Sequence, residues 1–377
     1  MNPISQSEID LQYMQEALAL AEEGRGRVAP NPLVGSVLVK DGRIVGRGYH
    51  RRYGARHAEV EAIADAGRLA KGATMYVTLQ PCNHFGKTPP CVDAILNAGI
   101  RRIVIAAEDP NPKSKCDDGL RRLKEAGVKV KTGVARTQAM KQNEVHLHNV
   151  KYQRPFVALK LAATLDAKIA DFQGKSQWIT SEPSRDYVHR LRGEFASILV
   201  GSRTVQTDNP RLTCRVRGRK NPLRVVLDPD LSLPTKALVF NQPGRVIVFT
   251  SRKAVAARKK PFERKHIDVI EVDEDHDGLL IWTQVLDHLY QQEIASVLVE
   301  GGSRVAASAL QAGIVNKVYL FLAPMILGGG ITYSDELVPR RLEQAIRLKD
   351  WISTPIGDDL LIEGYPDTEP VKSEVTK

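Results

Sequence analysis

The chain has 377 residues, 42% of them hydrophobic, with a formal net charge of +10 and four cysteines. That length accommodates two ordinary cores, and no run nears the roughly 18 consecutive apolar residues a membrane-spanning helix requires, which argues against a membrane protein. The polar, acidic start from Met1 to Leu11 has the character of neither a secretory signal nor a transit peptide, so a cytoplasmic enzyme with reduced thiols is expected.

From Ser7 to Glu23, Ile9, Leu11, Met14, Ala17, Leu18 and Ala21 recur at helical spacing, and Ser5 with Glu8 forms a capping box. Leu33 to Lys40 and Arg43 to His50 are β-prone runs joined by Asp41-Gly42, a pair suited to a tight hairpin. Alternation follows: a helix from His57, a strand Thr74 to Leu79, a helix Pro90 to Ala98 ended by Gly99, a strand Arg102 to Ala106, a helix ended by Gly127 and a strand Val128 to Thr132. Strands alternating with helices that end in glycine predict an α/β layer. Val145 to Pro155, rich in His, Lys, Asn and Arg, predicts a domain boundary, with domains over 1–148 and 154–366. The second half offers strands at Phe156 to Ala163, Ser197 to Val200, Leu223 to Leu227, Val246 to Thr250, Ile267 to Val272, Ser296 to Glu300 and Val318 to Leu322, a second α/β domain. The end, Asp367 to Lys377, reads as a charged, mobile tail.

Chemistry concentrates in the first half. A hydrolytic zinc site needs three protein ligands and an open position for a water whose acidity the metal raises. Zinc deaminases carry His-x-Glu followed by Pro-Cys and a further Cys, with the Glu moving protons rather than binding metal. Here His57-Ala58-Glu59 is followed by Pro81-Cys82 and Cys91, which assigns His57, Cys82 and Cys91 as ligands and Glu59 as catalytic acid/base. Taken singly, each ligand would more often be an ordinary core residue; a closed structural zinc site would want a fourth ligand, and His84 stands only two residues from Cys82. The loop Asn83 to Pro90 between the cysteines is far longer than the two residues usual in this signature.

With Asn31-Pro32-Leu33-Val34-Gly35, His57-Ala58-Glu59-Val60 and the run Pro81 to Cys91, the N-terminal half closely resembles the pyrimidine deaminases of bacterial riboflavin biosynthesis. The resemblance implies a cytidine-deaminase-like three-layer domain, in which His84, Lys87 and Thr88 of the long loop, with Asn31 and His50, hold a ribosylaminopyrimidine 5′-phosphate. The second half is similar to the reductase partner of the same bifunctional enzymes, a dihydrofolate-reductase-like fold. The matching stretches are Leu159-Lys160-Leu161-Ala162, Ser176 to Thr180, Gly201 to Thr213 and Glu300-Gly301-Gly302. By that resemblance Ala162, Trp178, Thr204, Asp208, Gly302, Ser303 and Arg304, with the segment on to Ser308, contact NADPH. Ser176, Arg192, Leu212, Arg215 and Glu300 contact the substrate. No Gly-x-Gly-x-x-Gly fingerprint stands at a strand-to-helix turn; Glu300-Gly301-Gly302 instead ends a strand and opens a helix whose free amides suit phosphates.

The implied function is a bifunctional enzyme of riboflavin biosynthesis: hydrolytic deamination of 2,5-diamino-6-ribosylamino-4(3H)-pyrimidinone 5′-phosphate, then NADPH-dependent reduction of the ribosyl group of 5-amino-6-(5-phosphoribosylamino)uracil to ribityl. A homo-oligomer is implied by the resemblance alone. Three departures from the family pattern stand out: Gln80 where Glu usually precedes Pro-Cys, Lys113 to Asp118 in place of a Gly-rich turn, and Ala167 where Gly is usual. Two rivals remain. The positive charge suits a nucleic-acid deaminase, but Arg51-Arg52, Arg101-Arg102, Arg215 to Lys220 and Arg258 to Lys265 lack the aromatic interleaving of a strand-binding groove, and no nucleic-acid partner is expected. Alternatively the C-terminal half is a non-catalytic scaffold. For the reductive step, Lys160, Asp208 and Glu300 are the candidates to handle the proton.

Overall fold

The N-terminal helix is set by its cap and its apolar stripe. Ser5 accepts a hydrogen bond from the Glu8 amide at 3.3 Å while the Glu8 carboxylate accepts from the Ser5 amide at 2.8 Å, and Met14, Ala17, Leu18 and Ala21 are buried along one face. In the computed structural model, which describes residues 5–85, 89–111, 116–254 and 258–367, this helix, α1 (Gln6–Glu22), lies on a five-stranded sheet. The chain divides into two compact units, Met1–Gln153 and Arg154–Lys377.

In the first unit α1 is followed by β1 (Gly35–Lys40), β2 (Arg43–Tyr49), α2 (Ala58–Ala66), β3 (Thr74–Leu79), α3 (Cys91–Asn97), β4 (Arg102–Ala107), α4 (Cys116–Glu125), β5 (Lys129–Thr132), α5 (Arg136–Gln142) and α6 (Glu144–Tyr152). The spatial order is β2-β1-β3-β4-β5, with β1 antiparallel to both neighbours and β3, β4 and β5 parallel. Asp41 and Gly42 both adopt positive φ, 50° and 73°, as a hairpin turn whose twist matches its strands requires. Side chains alternate across the sheet. Met75, Val77, Ile103 and Ile105 pack under Ala62, Val92, Ile95 and Leu123 of α2, α3 and α4, while Val37, Tyr76 and Val104 meet Met14, Ala17 and Ala139 of α1 and α5. The result is the three-layer α/β/α arrangement expected from the resemblance.

The second unit runs β6 (Phe156–Thr164), β7 (Lys168–Ala170), α7 (Glu182–Glu194), β8 (Ser197–Gly201), α8 (Ser202–Asp208), β9 (Leu223–Leu227), β10 (Val246–Ser251), β11 (Ile267–Val272), α9 (Trp282–Gln291), β12 (Ser296–Val299), α10 (Ser303–Gln311), β13 (Lys317–Ala323), β14 (Ile331–Thr332), β15 (Leu348–Ile356) and β16 (Asp359–Pro366). Nine strands form one sheet in the order β11-β10-β9-β8-β12-β6-β13-β16-β15, parallel up to β13 and closed by the antiparallel β15–β16 hairpin; β7 and β14 pair separately. The parallel strands bury near-continuous apolar runs, and Val285, Leu286 and Leu289 of α9 with Ala306 and Ala309 of α10 cover one face.

Much of the segment Val145 to Pro155, where the sequence reading placed the domain boundary, is the helix α6, which ends on Gln153 in the left-handed conformation. Of the expected tail, Asp367 is held by an ion pair to Lys349 at 2.6 Å; residues 368–377 lie outside the described residues. No helix among the described residues is long and apolar enough to cross a membrane.

Candidate functional site

In the first unit, chemistry gathers where β3 ends and two helices begin. His57 is the N-cap of α2, Cys82 follows β3 by three residues, and Cys91 is the first residue of α3. α2 lies unusually close to β2 because Gly48 has no side chain: a Cβ there would come within 2.3 Å of the Ala58 carbonyl. That approach carries His57 to the two thiols. His57 Nδ1 lies 3.2 Å from Cys91 Sγ and 3.5 Å from Cys82 Sγ, the Cys91 amide donates to Cys82 Sγ at 3.4 Å, and the three donor atoms lie within 4.8 Å of one another. One imidazole and two soft sulfurs at such separations fit a tetrahedral zinc ion with one position left for water.

The electrostatics suit that donor set. The hydrogen bond with Cys91 draws the Cys82 thiol down to about 4 against the opposing effect of burial, while the same bond pushes Cys91 up. The bond to Cys82 raises the His57 pKa. Glu59, in the first turn of α2 and 3% exposed, is lifted by burial to about 6, which outweighs the opposing pull of His57. A carboxyl near neutrality is suited to taking and returning a proton.

Asn31 and His50 flank this centre. Asn31 Nδ2 is 3.1 Å from His50 Nε2, His50 Nδ1 is 3.0 Å from the Arg56 carbonyl, and the His50 and His57 rings sit edge to face at 5.6 Å. His84 is half-buried, and Gln80 is buried at the end of β3 with its amide donating to Ala107 O at 2.9 Å. Lys87 and Thr88 lie outside the described residues, as do residues 113–115 of the unusual segment from Lys113 to Asp118.

The second unit holds a cavity of about 1430 Å³ at the carboxyl ends of the parallel strands. Ligands bind there in open α/β sheets. All twelve residues expected to contact NADPH or the reductase substrate line it. Arg192 grips Glu300 with two hydrogen bonds, at 2.7 and 2.8 Å; Ser176 Oγ donates to Asp208 Oδ1 at 3.0 Å, and the Gly302 amide donates to Thr204 Oγ1 at 3.1 Å. Leu212 is buried with φ 53°, and Arg215 lies on the cavity wall. Burial alone would raise the Glu300 pKa, but Arg192 and Lys160 overrule it and hold the carboxyl down. Burial lowers the Lys160 pKa, with Glu300 opposing and Arg192 assisting. The volume exceeds the roughly 300–1,000 Å³ of pockets for drug-sized ligands, and the first turn of α10 offers amides suited to phosphates.

Comparison with known proteins gives a family. Residues 155–362 match the model of the RibD C-terminal domain, and residues 7–107 match the cytidine and deoxycytidylate deaminase zinc-binding region. A riboflavin biosynthesis protein RibD from Aquifex aeolicus is 42% identical over 94% of this chain and 98% of its own length, and one from Escherichia coli is 40% identical over 85% and 89%. The chain belongs to the RibD family. A diaminohydroxyphosphoribosylaminopyrimidine deaminase/5-amino-6-(5-phosphoribosylamino)uracil reductase from Thermotoga maritima superposes with a TM-score of 0.86 at 38% identity, covering 96% of this chain and all of that one. RibD of Acinetobacter baumannii gives 0.85 at 31% identity, with the same coverage. As a RibD protein the chain is a bifunctional deaminase and reductase of riboflavin biosynthesis that works with zinc and NADPH. Both rivals, the nucleic-acid deaminase and the scaffold half, fall with that membership.

Two further residues of the RibD cavity escaped the sequence reading. Arg185 lies over the Trp178 ring at 4.7 Å and donates to the Thr180 carbonyl at 2.6 Å, so it braces an otherwise exposed aromatic. His189 lines the same wall, with burial and the charges of Arg192 and Arg215 lowering its pKa. Its signal was present in the sequence: it precedes Arg192 by three residues, one helical turn on α7.

Proposed function

We propose that the N-terminal unit deaminates 2,5-diamino-6-ribosylamino-4(3H)-pyrimidinone 5′-phosphate and that the C-terminal unit reduces the ribosyl group of the resulting 5-amino-6-(5-phosphoribosylamino)uracil to ribityl. The observation that carries the reading is the meeting of His57, Cys82 and Cys91 beside a buried Glu59. His57, Cys82 and Cys91 would hold zinc, which when bound raises the acidity of a water at its open position. Glu59 takes a proton from that attacking water and delivers protons to the ring nitrogen and to departing ammonia. Asn31, His50, His84, Lys87 and Thr88 bind the pyrimidine and its phosphorylated ribose.

In the second step NADPH, when bound, would supply the hydride to the anomeric carbon of the opened ribosyl group, with Lys160, Asp208 and Glu300 the candidates to handle the accompanying proton. Ala162, Trp178, Thr204, Asp208, Gly302, Ser303 and Arg304 orient the cofactor. Ser176, Arg192, Leu212, Arg215 and Glu300 orient the substrate, the arginines as partners for its phosphate. The free thiols of Cys82, Cys91 and Cys214 and the lack of a spanning helix among the described residues are compatible with a cytoplasmic enzyme; its assembly is a homo-oligomer, as the family resemblance implies. The test supplies purified protein with the diaminopyrimidine, with and without NADPH, and follows ammonia and cofactor absorbance. Ammonia release in both cases, with NADPH oxidation only after deamination, is the expected result. NADPH oxidation without prior ammonia release would overturn the order of steps.

A further inference from the structure

The loop that presents Asn31 is fastened from outside the deaminase signature. Asn143 stands where α5 gives way to α6, beyond the 7–107 region matched to zinc deaminases, and it is 2% exposed. Its Oδ1 accepts from the Leu33 amide at 2.7 Å, and its Nδ2 donates to the Leu33 carbonyl at 2.9 Å. One side chain thus pairs with both backbone groups of Leu33, as a neighbouring strand would, in a buried place where either group left alone would be costly. The flanking residues are tied as well: the Asn31 amide to Val28 O at 2.9 Å, the His50 amide to Val34 O at 2.9 Å, and the Gly35 amide to Thr78 Oγ1 at 3.1 Å.

From Leu33 the connection runs to the metal centre. The Arg56 carbonyl can only accept, so the His50 nitrogen facing it, Nδ1, carries the proton. Nε2 is then an acceptor, and Asn31 must direct its Nδ2 donor there, which leaves the Asn31 carbonyl oxygen turned away from His50. Arg56 precedes His57 in the chain. A shift of Leu33 therefore moves Asn31 and, through the His50–Val34 bond, His50.

We propose that Asn143 is a positioning residue for the deamination step, holding Leu33 so that Asn31 and His50 keep the orientation in which they meet the pyrimidine. This rests on the reading of Asn31 and His50 as substrate contacts. Asn143 Nδ2 also donates to the Ala139 carbonyl of α5 at 3.4 Å, and the Asn143 backbone carbonyl accepts from Leu147 at 2.9 Å; the second bond survives side-chain replacement, and the first is the weaker of the two that Nδ2 makes, so the Leu33 clamp is the main interaction that substitution removes.

The experiment uses the full-length zinc-loaded protein with Asn143→Ala, Asn143→Asp, Asn31→Ala and the Asn31→Ala/Asn143→Ala double variant. It measures kcat and KM for ammonia release, with zinc content as the report on folding of the N-terminal unit. Asn143→Ala is expected to raise KM about tenfold with kcat within about threefold, and Asn143→Asp, which keeps the acceptor for the Leu33 amide, to raise it less; the energies of residues in one network are not additive, so in the Asn31→Ala background the same change adds under about threefold. Should Asn143→Ala lose zinc, Asn143→Asp carries the test. Wild-type KM in a zinc-replete Asn143 variant, or full multiplication of effects in the double variant, would overturn the proposal. Unchanged deamination by Asn31→Ala would instead remove the substrate-contact reading, and the proposal with it.

Discussion

Asp10 is wholly buried on α1, where Arg102 grips it with two hydrogen bonds at 2.7 Å, Lys131 donates at 2.8 Å, Tyr76 at 2.9 Å and Gln6 at 3.1 Å. Burial pushes its pKa up, but these donors overrule it and hold the carboxyl well below the ordinary 3.8. A depressed folded-state pKa means the unfolded chain binds the proton first, so the stabilisation is complete above pH 3.8 and fades as pH falls further. Asp10→Asn is expected to cost the N-terminal unit about 3 kcal/mol at pH 7, because it removes the buried counter-charge of the partly exposed Arg102 and Lys131 and breaks their hydrogen bonds. The gap to the parent chain should narrow below pH 4, as denaturant unfolding at several pH values would report. Nothing in the sequence marks Asp10, since its charged partners stand 92 and 121 residues away. Arg224 is equally invisible: fully buried, it donates to the carbonyls of Val239, Gln242, Pro243 and Gly244 rather than to any acid. His57, Glu59, Cys82 and Cys91 were legible because zinc chemistry restricts both residue type and spacing.

Among elements, α2 depends on Gly48. Ala58 O at 2.3 Å and Ala62 N at 2.4 Å from the missing Cβ are backbone atoms and cannot swing aside. Gly48→Ala should displace the helix that carries His57 and Glu59, costing about 2 kcal/mol as overpacking does and lowering deaminase kcat at least tenfold while NADPH-dependent reduction persists. Steady-state assays of both steps on one preparation would show it. Ala167 is the opposite case. It has φ 65°, a conformation that favours glycine, and its amide closes a turn on Thr164 O at 2.9 Å. The left-handed strain exceeds the entropy that alanine saves in the unfolded chain, so Ala167→Gly is expected to stabilise the C-terminal unit by about 0.5 kcal/mol, measurable as a shift in denaturation midpoint. The elements the sequence concealed share one property, a weak apolar period. β15 is an edge strand exposed along most of its length and includes Pro355, and α6 buries only Asn149. Neither shows the alternation or stripe that burial on one face imposes.

For the whole molecule, the two centres belong to separate units, each with its own core. Glu59→Gln is therefore expected to retain zinc and lose ammonia release by several orders of magnitude, yet to reduce the uracil intermediate with NADPH at the parent rate. Removal of zinc by a chelator should give the same split between activities. Loss of both activities in a folded variant would contradict independent centres. The net charge of +10 adds an ionic-strength effect: kcat/KM for the phosphorylated substrates should fall as salt rises, because charge steering is screened beyond about 8–10 Å.

Local rules alone determined the two α/β units and the zinc ligands with their proton carrier, while the family was legible through the resemblance of the long loop and of stretches in the second half. Periodicity, caps and ligand spacing are short-range properties, so one sequence displays them. Only the tertiary structure decided that Gly48 lets α2 reach the thiols, that Arg192 engages Glu300 across 108 residues, and that Asn143 clamps Leu33 across 110. Those pairings follow from how strands are ordered in the sheets, which no local pattern encodes.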